Sequence, residues 1–340
     1  MNKKRSLVIA PGRGSYTREA SNYLSKVRSK NLDSFLNRID AKRELNNEKT
    51  ISLLDKSPFK PKVHLVGENA AALTYFCSVA DYKNIDLDHY DIVGVLGNSM
   101  GWYTTLALSG SISLDDGYDL VNILGSMMKD QIIGGQLIYP LINDNWNFDN
   151  SIFQKVMKKI SDARAHVSIY LGGYIVIGGD EIALKSLISS LDPIEDFPFR
   201  IPFHAAFHTP LLSEISNEAQ KKIDKNIFKK PDIPIIDGRG FIWSKYSTNI
   251  DELYNYTLHQ QVVEPFNFSK AVTVAIKEFA PEKIILLGPG NSLGGPTAQV
   301  LIKEKWMEIE SKESFLAHQK KNTYLISMSI DKQRSIVSRK

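Results

Sequence analysis

A serine between two glycines, Gly97-Asn98-Ser99-Met100-Gly101, carries the strongest chemical signal in the chain. This G-x-S-x-G pentapeptide follows an apolar, partly β-branched run (90–96) and precedes a stretch (102–109) able to continue as a helix. A strand handing over to a helix at such a serine is the setting of a nucleophile elbow. Glycine on either side lets the backbone turn without a Cβ clash, so the hydroxyl stands clear and the Met100 amide can face an oxyanion. The same pentapeptide also occurs as a plain strand-to-helix turn, so further residues have to support an enzyme.

A serine hydroxyl needs a base within hydrogen-bond reach, most often histidine. Of the seven histidines, His208 stands out in Ala206-Phe207-His208-Thr209-Pro210-Leu211, where the chain can return to the elbow. A hydrogen-bonded structural histidine is the competing reading. His204 and His208 have the i, i+4 spacing of a zinc-binding pair, but Ala205-Ala206-Phe207 between them supplies no glutamate and Pro210 stops a helix, so metal chemistry is not expected.

These groups have to be positioned by a fold. Strand-like segments at 6–10 and 92–96 alternate with helix-like segments at 16–26 and 70–82, which predicts an α/β domain with a mostly parallel sheet. Ser113-Leu114-Asp115-Asp116 resembles a capping box, and Leu114, Tyr118, Val121, Leu124 and Met128 then fall on one helix face. Between 134 and 203 the order becomes βαββαβ, with strands at 136–142, 166–170, 174–177 and 198–201 and helices at 152–163 and 182–191, the ferredoxin-like order. A helix at 268–279, a strand at 283–287 and the turn Gly288-Pro289-Gly290 resume the α/β rhythm. The expected fold is an α/β-hydrolase-like parallel-sheet domain (1–133 and 204–310) with an inserted ferredoxin-like subdomain (134–203), followed by a basic segment (311–340).

The 340 residues, 43% hydrophobic and 24% charged, have ordinary globular composition. No apolar run reaches the roughly 18–20 residues that span a bilayer, and a single cysteine, Cys77, suits a reducing compartment, so a cytoplasmic protein without a membrane partner is expected. Charge is uneven: residues 1–60 hold 14 Lys/Arg against 6 Asp/Glu, and 311–340 hold 7 against 2. Such ends either steer an acidic partner or form solvated basic surface. Nucleic acid is not expected as a partner, because aromatics are not interleaved with the basic residues.

Pro11-Gly12-Arg13-Gly14-Ser15, the elbow with Tyr103-Thr104, the His208 segment, Gln261 ahead of Pro265, and Leu287-Gly288-Pro289-Gly290 occur together in one order. In this the chain resembles the malonyl-CoA:acyl-carrier-protein transacylases, from about residue 6 to about 300. The resemblance implies that Ser99 is the acyl-accepting nucleophile and His208 its base, with the backbone carbonyl of Gln261 orienting the imidazole in place of a carboxylate. It places the oxyanion hole at the amides of Met100 and Arg13. It implies ping-pong transfer of a malonyl or related group from a CoA thioester to the phosphopantetheine thiol of an acyl carrier protein, in a fatty acid or polyketide pathway, by a monomer that needs no cofactor.

Four departures bear on the substrate. The helix after the elbow supplies an arginine for the malonyl carboxylate in that family, and Leu124 stands at that position here. Arg13 stands where the family has glutamine, and either clamps a carboxylate from the other side or points to solvent or the phosphates of coenzyme A. Asn98 and Trp102 replace the usual histidine and acidic residue around the elbow; the indole either narrows the pocket entrance or packs in the core. Phe207 matches the malonyl-type motif and counts, with Arg13, Asn98, Trp102 and Leu124, among the expected substrate-binding residues. Beside the transferase stand an acyl-carrier-protein acyl hydrolase, which loss of the carboxylate-binding arginine favours, and a non-catalytic carrier-protein binder, against which the retention of Ser99, His208 and Gln261 counts.

Overall fold

The structure, a computed structural model, describes residues 2–27, 30–127, 129 and 132–339. Its strands are β1 (Lys4–Ala10), β2 (Tyr90–Gly97), β3 (Gly135–Pro140), β4 (His166–Leu171), β5 (Tyr174–Gly179), β6 (Phe199–Arg200), β7 (Ile235–Ile236), β8 (Ile242–Trp243), β9 (Phe266–Asn267), β10 (Lys283–Leu286) and β11 (Leu325–Ser327). Six of them form the larger sheet in the order β11-β10-β1-β2-β7-β8, parallel throughout except for the β7–β8 pair.

The sheet is buried on both faces, as the continuous apolar runs of β1 and β10 require. On β1, Val8 and Ala10 join the core that includes Val95, Leu106, Val121 and Leu124, while Leu7 and Ile9 join the opposite core with Leu96, Phe268 and Ile284. That alternation is the period of two of a pleated strand. Each such aliphatic side chain contributes about 1.5–3 kcal/mol by leaving water. The helices Gly67–Asn84, Gly101–Leu108 and Leu114–Ser126 cover the first face, and Phe268–Phe279 and Gly294–Lys303 the second.

The smaller sheet has the order β6-β3-β5-β4-β9. Its first four strands are antiparallel neighbours, in the spatial order of a ferredoxin-like βαββαβ unit, and the helices Asn150–Asp162 and Glu181–Ser190 close a separate core around Leu137, Ile175 and Leu187. β9, outside that unit in sequence, pairs in parallel with β4 and runs straight into the helix Phe268–Phe279, so the small sheet is tied to a helix of the large one.

The sequence expectations meet three different outcomes. Residues 16–26, expected to be helical, form two short 3-10 turns, Arg18–Ala20 and Tyr23–Lys26. The Asp55 carboxylate takes the amides of Tyr23 (2.8 Å) and Leu24 (3.0 Å), and Asn22 sits at φ +60°, so the chain folds around a buried carboxylate instead of bonding to itself. Residues 311–340 do not stand apart: β11 pairs in parallel with β10 and forms the edge of the large sheet. The helix Leu114–Ser126 starts at Ser113, whose side chain accepts the Asp116 amide (3.0 Å), whereas Met128, expected on its apolar face, lies outside the described residues. Among the described residues no helix is long and apolar enough to cross a membrane.

Candidate active site

The elbow forms where β2 meets the helix Gly101–Leu108. Ser99 takes a left-handed backbone conformation, φ +53°, which costs an L-residue on the order of 1–3 kcal/mol and persists only where its surroundings enforce it. Both flanking glycines are obligatory: a Cβ on Gly97 would lie 2.2 Å from the Gly101 carbonyl carbon, and one on Gly101 would lie 2.3 Å from the Ala10 oxygen. β1 and its following loop therefore press directly against the turn. Gly12 borders the same turn less tightly, where a Cβ would meet the Asn98 oxygen at 3.2 Å and the Ser99 Cβ at 3.7 Å.

His208 also has a positive φ, +61°, and its ring reaches the serine: Ser99 Oγ and His208 Nε2 are 2.8 Å apart. On the other side Nδ1 lies 2.6 Å from the Gln261 carbonyl oxygen. A carbonyl only accepts, so Nδ1 carries the proton and Nε2 receives the bond from the serine hydroxyl. The reason this carbonyl is free is written four residues on. The helical partner of Gln261 would be the amide of residue 265, and Pro265 has none. The Gln261 side chain also donates from Nε2 to the Ser99 carbonyl (2.9 Å) and accepts at Oε1 from the Tyr256 hydroxyl (3.0 Å), tying Ser99 and His208 to one residue.

Burial pushes the His208 imidazolium pKa down to about 4, partly offset by the bond to Gln261. The ring is thus a neutral acceptor throughout the physiological range. If Ser99 reacts through this ring, its reactivity should persist well below pH 6 and fall only as pH drops toward about 4. An acid limb near the ordinary imidazole value in a pH series of Ser99 labelling by a serine-directed reagent would contradict this.

Ser99, Met100, His208 and Phe207 line a cavity of about 50 Å³ together with Arg13, Ala71, Tyr103, Val121, Leu124, Gly125, Gln136 and His204. The structure thus brings Arg13, Met100, Phe207 and Leu124 to the serine. The amides of Arg13 and Met100 donate to no acceptor among the described residues. The Arg13 guanidinium donates to the Phe203 carbonyl (2.6 Å), forms no ion pair among the described residues, and remains a cation although burial lowers its pKa to about 10. Leu124 is only 3% exposed and makes an apolar wall with Ala71, Val121 and Tyr103.

Of the two readings of Trp102 the structure holds the packed one, and Asn98 stands away from the cavity. Trp102 does not face the cavity: its indole is fully buried, donates to Thr257 Oγ1 (3.1 Å) and meets the Tyr256 ring edge-on, supporting the segment that presents Gln261. One helical turn beyond Ser99, its side chain points into the layer beneath the elbow. Asn98 is buried against Gly12 and does not line the cavity either.

Sequence reasoning overlooked Gln136 and Tyr256 and weighed His204 only as a metal ligand. Residues 203–208 are not helical, so the i, i+4 pairing has no geometric basis, and among the described residues no three His, Cys, Asp or Glu side chains gather as a ligand set.

No protein-family model matches the chain. The malonyl CoA-acyl carrier protein transacylase of Escherichia coli K12 is 23% identical over 212 residues, which span 60% of this chain and 65% of that protein. Among solved structures, the acyl-carrier-protein S-malonyltransferase of Burkholderia pseudomallei superposes with a TM-score of 0.74 at 17% identity, covering 98% of each chain. The malonyl CoA-acyl carrier protein transacylase of Coxiella burnetii superposes with a TM-score of 0.76 at 15% identity, covering 98% of this chain and 96% of that one. The chain is thus similar in sequence to a malonyl CoA-acyl carrier protein transacylase, and similar in fold to solved acyl-carrier-protein malonyltransferases.

Proposed function

We propose that this protein is a serine-dependent acyltransferase that moves a short acyl group from a coenzyme A thioester to the phosphopantetheine thiol of an acyl carrier protein. The observation that carries the reading is the chain Ser99 Oγ, His208 Nε2, Gln261 O, at 2.8 and 2.6 Å, opening on a cavity flanked by two unengaged amides. The names of the relatives, malonyl-CoA and acyl carrier protein enzymes, support the donor and acceptor classes.

Ser99 Oγ attacks the thioester carbonyl as its proton passes to His208 Nε2. The oxyanion is received by the amides of Met100 and Arg13, and the positive end of the helix Gly101–Leu108 adds to them. The tetrahedral adduct collapses, and His208 returns the proton to the departing thiolate. The carrier thiol then gives its proton to His208, attacks the Ser99 ester, and releases the serine, which is reprotonated.

Arg13 is the cation that meets the polar end of the acyl group. Arg13→Gln keeps the backbone amide and removes the charge, so kcat/KM for malonyl-CoA should fall about 10- to 100-fold while that for acetyl-CoA changes less than about threefold. Full malonyl transfer by Arg13→Gln contradicts the assignment. The apolar wall at Leu124 favours one second reading, an acyl hydrolase for carrier-bound acyl groups, in which water replaces the thiol in the second step.

A further inference from the structure

His204 is the imidazole of the cavity that the proposed mechanism leaves unused, and its protonation is fixed by neighbours. Gln136 Nε2 lies 2.8 Å from Ser168 Oγ and 3.4 Å from the Phe207 carbonyl. Ser168 Oγ itself donates to that carbonyl (2.9 Å), so the amide nitrogen of Gln136 must face this pair. Its oxygen, Oε1, then faces His204 Nδ1 at 2.9 Å, and an amide oxygen can only accept. His204 therefore carries its proton on Nδ1, and Nε2 is a bare acceptor.

Nε2 bonds to nothing among the described residues and lies 3.6 Å from where a Cβ of Gly14 would stand, over the loop that holds Arg13. Burial, the Arg13 charge and His208 all disfavour a proton there, in that order. Arg13 is anchored on the carbonyl of Phe203, the residue before His204, so donor and acceptor are built from one corner of the cavity. A carboxylate only accepts and satisfies Arg13 alone. A hydroxyl oxygen accepts from Arg13 while its hydrogen is given to His204 Nε2.

We propose that His204 is a specificity-determining residue whose Nε2 accepts a hydrogen bond from a hydroxyl on the acyl group, so that the site prefers a short hydroxyacyl thioester over its deoxy counterpart and over a dicarboxylic one. The inference rests on the Ser99 acyl-enzyme proposed above. Propionyl-, 3-hydroxypropionyl- and malonyl-CoA differ only at the end of the chain that meets this corner. Rates of Ser99 acylation are measured by intact mass for the wild type, His204→Leu, which removes the acceptor, and His204→Gln, which restores one.

The wild type should acylate with 3-hydroxypropionyl-CoA about 10-fold faster than with propionyl-CoA, from one added hydrogen-bonded pair. His204→Leu should bring that ratio to about 2 or less, with partial recovery in His204→Gln. A wild-type ratio near 1, a fastest rate with malonyl-CoA, or an equal loss for all three thioesters in His204→Leu would each overturn the inference; the last would place the ring on the pantetheine arm or in the scaffold. Absence of an adduct with every thioester would instead refute the acyl-enzyme itself.

Discussion

Ser99→Ala should abolish the acyl-enzyme and lower acyl transfer on the order of 10⁴- to 10⁶-fold, the range seen when a nucleophile acting with its base is removed. His208→Ala should lose about 10²- to 10⁴-fold for want of the base. Because the two act as one device, joined by the 2.8 Å bond, the double variant should be no slower than Ser99→Ala. Rates are read as thiol release from acyl-CoA. Multiplying losses in the double variant would show that Ser99 and His208 work in separate steps.

The second large effect concerns the fold. Asp81 is fully buried on the helix Gly67–Asn84 and accepts from the Arg334 guanidinium (2.7 Å), the Tyr23 hydroxyl (2.6 Å) and the Gly288 amide (2.7 Å). Arg334 belongs to the C-terminal helix Asp331–Val337, so this carboxylate ties the end of the chain to the Gly288 turn and to the 3-10 turn Tyr23–Lys26. Arg334→Met leaves the carboxylate buried without its cation and should destabilise the protein by about 3–5 kcal/mol at neutral pH in urea unfolding.

The pH dependence has a definite sign. Burial, opposed chiefly by Arg334, holds the Asp81 pKa at about 6, above the ordinary value of 3.8. The folded state therefore binds the proton more tightly than the unfolded chain, and ionisation weakens the fold as pH rises from about 4 through 6. Without Arg334 the penalty grows, so the variant should lose least near pH 5 and most above pH 7. An equal loss at both would show that Arg334 stabilises through packing alone.

The parallel sheet and the βαββαβ unit were legible because their apolar periods are local: β1, β2, β3, β5 and the helix Phe268–Phe279 fall within about two residues of the segments read from sequence. The grouping of Ser99, His208 and Gln261 came from the resemblance and not from any local period, because their 2.8 and 2.6 Å contacts join residues far apart in the chain. What escaped is set by distant partners. The two-residue strands β7 and β9 exist only because β2 and β4 offer them edges, and nothing local marks them. Residues 16–26 have helical spacing, but the Asp55 carboxylate competes for their amides. Its place beside the elbow left Trp102 open to a pocket or a packing role, and only the direction of the helix, which turns the indole toward Thr257, decides between them. His204 gains its meaning from Gln136, 68 residues earlier, which no spacing rule connects to it.

The central claim, that Ser99 carries an acyl group between two thioesters, is tested most directly by the intact mass of the protein after brief exposure to acyl-CoA and then to a holo acyl carrier protein. The expected result is a mass increase equal to the acyl group, absent in Ser99→Ala, which moves onto the carrier faster than it is lost to water. No adduct, or an adduct that persists in Ser99→Ala, would contradict the claim, and an adduct released to water regardless of the carrier would replace transfer with hydrolysis.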